Sequence, residues 1–210
     1  MQSNNQRSRN GLMPAFGRIP DFDWLAKTHD ADDSWLGPRP MLVNLQQWMN
    51  QLATSSHRHL VVATFAAAQT SKLYWDKWLA ESPNIACESI LDSQPPNKQL
   101  AAVATWLDNP IQEHKSNAQQ TVDLTKQLHW YHDDYENFWF NEPGMWAIES
   151  AEHCVLSLTG DSYSPLSLAD LATISISCAV NSFRSSLTDC IREPLQLVVD
   201  AIANQFAEVR

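Results

Sequence analysis

The chain has 210 residues, 44% hydrophobic and 18% charged, with a formal net charge of -10. This is globular composition at a length suited to one domain plus a tail, enough to bury a core, and its acidity disfavours phosphate backbones and anionic membrane. Only 5 glycines occur, against a usual share of about 7%, which argues against a turn-rich sheet protein and any glycine-rich phosphate loop.

The charge is uneven along the chain. Residues 1–40 hold five basic residues (Arg7, Arg9, Arg18, Lys27, Arg39) and five acidic ones (Asp21, Asp23, Asp30, Asp32, Asp33), so the whole -10 falls on residues 41–210. That first stretch reads as an irregular N-terminal arm. "MQSNNQRSRNG" is polar, with no apolar core of a signal peptide, and Pro14, Pro20, Pro38 and Pro40 interrupt regular structure. Phe22, Trp24, Leu25, Trp35 and Leu36 nevertheless give the arm anchors with which to dock on its own domain or on a partner.

From residue 41 the pattern predicts helix after helix. Leu42, Leu45, Met49 and Leu52 make one stripe. Residues 57–80 make a longer helix whose Leu60–Ala68 part is apolar nearly all round, the mark of a central element. After a connector at 81–97, Leu100, Val103 and Leu107 predict a third helix ending near Asn109. Asn109, Pro110 and Gln112 have the spacing of a cap, a first-turn proline and a capping box, so the next helix is expected to run from there to about Leu128. Asn141-Glu142-Pro143 opens another, through Leu158; Ser164-Pro165 opens the next, to about Ser185. Ile191, Leu195, Val198, Ile202 and Phe206 form the last stripe, with Pro194 near its start. The expected fold is all-α: one bundle-like domain of about six or seven helices over residues 41–210, behind the arm at 1–40.

The segment "HWYHDDYENFWF" (129–140) concentrates the side chains that look most like chemistry. His129, His132, Asp133 and Asp134 are metal-ligand types, and Glu149 and His153 share a face of the following helix at i, i+4. Metal sites in helix bundles use Glu-x-x-His spacing, but the residue three after Glu149 is Glu152, and no H-E-x-x-H occurs. On a helical wheel Met145, Ala147, Ile148, Ala151, Cys154, Val155, Leu156 and Leu158 form one apolar arc. Glu149 and His153 fall outside it with Trp146, Ser150 and Ser157, whereas Glu152 falls inside. A helical-bundle metalloenzyme with His/Glu ligands is therefore the weaker alternative, and no cofactor is expected.

Nucleophilic catalysis has less support. There is no G-x-S-x-G elbow, and Cys154 and His153 are adjacent, so their side chains diverge by about 100° on a helix. "HRH" (57–59) reads as an exposed first turn. Cys87, Cys154, Cys178 and Cys190 show no CxxC pairing, which fits free buried thiols and a soluble, cytoplasmic protein. The 9 tryptophans exceed what core filling needs, and aromatic residues concentrate at interface hot spots. Acidic neighbours argue against stacking on nucleic acid. The candidate partner-binding residues are Trp24, Trp35, Trp130, Tyr131, Tyr135 and Trp139.

Two segments carry a family resemblance. "WLDNPIQEHKSNAQQ" (106–120) has Trp-x-x-x-Pro-x-x-Glu followed by Ala118, and "EPGMWAIESAEHC" (142–154) has Pro-x-x-Trp-Ala with Ala151 four residues on. Over residues 57–185 the chain resembles an uncharacterised bacterial family of small helical proteins associated with type VI secretion accessory genes. It departs from that pattern at "SLTGDS" (157–162), where a Ser-Gly-Gly-Ser-like turn is expected. The resemblance implies a helical fold and a place in a secretion system, and no catalytic residues. The expectation is a non-enzymatic interaction protein, an adaptor or chaperone of a bacterial secretion system. Its partner would be a protein (a secreted effector, a secretion component or a toxin) rather than nucleic acid or membrane, with oligomeric state open. The alternative is an immunity protein that neutralises a basic toxin.

Overall fold

The computed structural model describes residues 40–81, 94–125, 143–161, 165–184 and 192–208. Among them are seven helices and no strand: α1 (Pro40–Ser55), α2 (His57–Glu81), α3 (Pro95–Asp108), α4 (Gln112–Gln120), α5 (Pro143–Thr159), α6 (Leu168–Arg184) and α7 (Arg192–Glu208). None is long and apolar enough to cross a membrane. The expected arm lies outside the described residues, except that Pro40 already opens α1.

Helix α2 runs through the middle of the bundle. It packs against α1, α3, α5, α6 and α7, and α5 packs against α2, α3, α4 and α6. Every position from Leu60 to Ala68 is buried, which is why this stretch lacks a polar face. The periodic positions of the other helices supply the rest of the core. Leu45, Met49 and Leu52 point inward from α1, Leu100, Val103 and Leu107 from α3, and Val198 and Ile202 from α7. Trp48, Trp106 and Val199 join them, widening each stripe. Each fully buried aliphatic side chain contributes about 1.5–3 kcal/mol.

Two helix starts differ from expectation. Asn109 ends α3 instead of opening the next helix: it is extended, and its N–H bonds the Thr105 carbonyl. Helix α4 begins at Gln112 after an extended Ile111, with no side-chain cap, and a turn at Thr121 interrupts it before residues 122–125 become helical again. Likewise α6 begins at Leu168, not at Pro165, because Ser167 and Asp170 form the capping pair: the Ser167 N–H and hydroxyl donate to Asp170 Oδ2 at 2.9 and 2.7 Å, and the Asp170 N–H donates to Ser167 Oγ at 3.2 Å.

Cross-helix contacts fix the directions of the helices. Ser150 and Ser175 exchange bonds at the α5–α6 seam. The connection between these helices, residues 160–167, is short, so they run antiparallel. At the start of α2, His57 meets Ser157 and Trp106, and Arg58 bonds the Leu107 carbonyl, so this end lies beside the ends of α3 and α5. Farther along α2, Tyr74 packs edge-on against Phe183 near the end of α6, with ring centroids 4.7 Å apart. Gln99, close to the start of α3, donates to Thr125 Oγ1 at 2.7 Å, so the chain after α4 has returned along α3. The end of α2, the start of α3, Thr125, the start of α5 and the end of α6 therefore share one end of the bundle. Segments 82–93, 126–142 and 185–191 attach to the described helices there.

Candidate functional site

The predicted partner-binding residues Trp24, Trp35, Trp130, Tyr131, Tyr135 and Trp139 lie outside the described residues, as do His129, His132, Asp133 and Asp134. What the described helices fix is where 126–142 is tethered: Thr125 leads into it and Pro143 follows it, at the same end of the bundle that receives 82–93 and 185–191. The three segments hold Glu88, Asp92, Asp133, Asp134, Glu136, Glu142 and Asp189 against one basic residue, Lys126. Seven minus one leaves six of the chain's ten net negative charges on them.

The described ligand candidates lie on α5. His153 Nδ1 lies 2.9 Å from the Glu149 carbonyl and 3.5 Å from Glu149 Oε2, an i, i+4 arrangement within one helix. Both side chains are partly buried, more so than their place outside the apolar arc implied. Glu152 is buried, as its place inside the arc required, and it is engaged in the packed protein. Across the seam on α6, burial pushes the Cys178 thiol well above its usual range, and the charges of Glu149 and Glu152 push it further the same way. Among the described residues no three His, Cys, Asp or Glu side chains are placed to hold a metal ion.

The wheel also misplaced Ser150 and Ser157, which are fully buried. They are seven residues apart, two helical turns, and each joins α5 to a neighbour. Ser150 Oγ donates to the Ser175 carbonyl and Ser175 Oγ to the Ser150 carbonyl, both at 2.8 Å. Ser157 Oγ donates to the Cys154 carbonyl at 2.7 Å and lies 3.0 Å from Thr64 Oγ1 of α2. A second stripe of small polar residues at i, i+7 is the signal that could have identified this seam in the sequence.

His57 Nε2 lies 3.0 Å from the carbonyl of Ser157, not from its hydroxyl. Burial pushes the Cys154 thiol up to about 12, with a hydrogen bond to Thr64 acting weakly the other way. A thiol at that value is almost wholly protonated at neutral pH and a poor nucleophile. The HRH turn is also less exposed than expected. Arg58 faces solvent, but His57 and His59 are half-buried, and burial followed by the Arg58 charge lowers the pKa of His59.

Compared with family models, with curated proteins and with solved structures, the chain has no match.

Proposed function

We propose that this chain is a non-enzymatic protein-interaction protein, an adaptor or chaperone of a bacterial secretion system, that receives a basic protein partner at the end of its bundle where segments 82–93, 126–142 and 185–191 attach. The observation that carries the reading is the shared tether point of those segments, whose sequence holds six net negative charges and the aromatic run Trp130, Tyr131, Tyr135, Phe138, Trp139 and Phe140. Aromatic side chains supply contact area at low entropic cost, and a single sign of charge steers an oppositely charged partner. The frame itself offers no activated nucleophile among its described residues. The place in a secretion system rests on the sequence resemblance alone.

The test is affinity capture from native lysate with the full chain, the chain lacking residues 1–40, and a variant with Asp133→Asn, Asp134→Asn and Glu136→Gln. The expected result is one specific, basic partner, retained by the full chain and weakened in the charge variant. Recovery of no specific partner by any form overturns the proposal.

The same acidity favours a second reading, an immunity protein that blocks a basic toxin. Co-expression with a toxin encoded next to this gene distinguishes the two: relief of toxicity supports immunity, and undiminished toxicity eliminates it.

A further inference from the structure

We draw no further inference here: the strongest candidate, the cluster of Glu149 and Glu152 beside the buried Cys178 thiol at the α5–α6 seam, is an acidic patch with a single cysteine to which no second observation assigns a ligand.

Discussion

Gly160, Asp170 and the two buried cysteines show how local chemistry acts in this fold. Gly160 follows α5 with φ 85°, and its N–H bonds the Leu156 carbonyl at 2.7 Å, closing the helix with a left-handed residue. A Cβ added there would meet Leu168 Cδ2 at an ordinary 3.9 Å, so the cost of a side chain is conformational and not steric. Gly160→Ala is expected to cost about 1–2 kcal/mol in urea unfolding, and an unchanged midpoint would contradict the left-handed cap. Asp170 offers a pH-dependent test. The Ser167 hydroxyl is the main cause of its lowered pKa, the Ser167 N–H and the Gln46 amide add to the effect, and partial burial opposes them. A carboxyl lowered in the folded state stabilises above its unfolded value of about 3.9 and loses that contribution as pH falls through the folded value. Asp170→Ala should therefore cost about 1 kcal/mol at neutral pH, and the gap from the parent protein should close as pH drops below about 4. A gap that stays constant through that range would rule out the charged cap. The cysteines give a third test. With Cys154 pushed up to about 12 and Cys178 also raised, a thiol-alkylating reagent at neutral pH should leave both unmodified in the folded chain and modify both in denaturant. Mass mapping reads the result, and rapid labelling of either thiol in the folded protein would show that its packing opens.

At the scale of elements, helix existence was far more legible than helix starts. The described positions of the stripes of α1, α3 and α7 reappear as buried side chains, because a stripe that repeats every three or four residues can be hidden in only one way. Asn109-Pro110 and Ser164-Pro165 misled because both have good capping chemistry, yet α4 starts after Ile111 with no side-chain cap, and α6 starts at a neighbouring pair that caps better. Ser167 outcompetes Ser164 because Asp170, three residues on, returns the bond and also accepts one from Gln46 of α1. That last contact joins residues 124 apart in sequence, which no local pattern reveals. The α5–α6 seam was missed for a related reason. Serine scores as polar, yet Ser150 and Ser175 satisfy each other's hydroxyls and can be buried without an orphan group. Their small size also lets the two helices approach closely. Ser150→Ala removes one of the paired bonds and should cost about 1 kcal/mol. Ser150→Val adds bulk to a packed seam and should cost more, about 1–3 kcal/mol. Unfolding midpoints for the two variants settle the order, and a valine variant as stable as the alanine one would mean that the seam is looser than its bond lengths require.

For the whole molecule, the sequence named the residue types of the candidate site, and the structure supplies their tether. Nothing in the spacing of Asp133, Glu88 and Asp189 shows that they belong to segments attached at one end. That follows from His57 beside Ser157, Tyr74 beside Phe183 and Gln99 bonded to Thr125. Three segments anchored together carry six of ten net charges, and the helices and remaining residues share the other four. Charge of one sign on a binding segment acts mainly on association. Under the proposed function it would draw in a basic partner over about a Debye length, which is near 10 Å at 0.1 M salt and about 3 Å at 1 M. Apolar contacts made after docking are not screened by salt. Once a partner is in hand, its association rate should fall by 10-fold or more, as an order of magnitude, between low and high salt, while its dissociation rate changes little. Asp133→Asn with Asp134→Asn and Glu136→Gln should flatten that salt dependence. Stopped-flow or surface-based kinetics over a salt series measure both rates. A salt-insensitive association rate in the parent chain would remove the electrostatic part of the proposal and leave the aromatic residues as its only recognition chemistry.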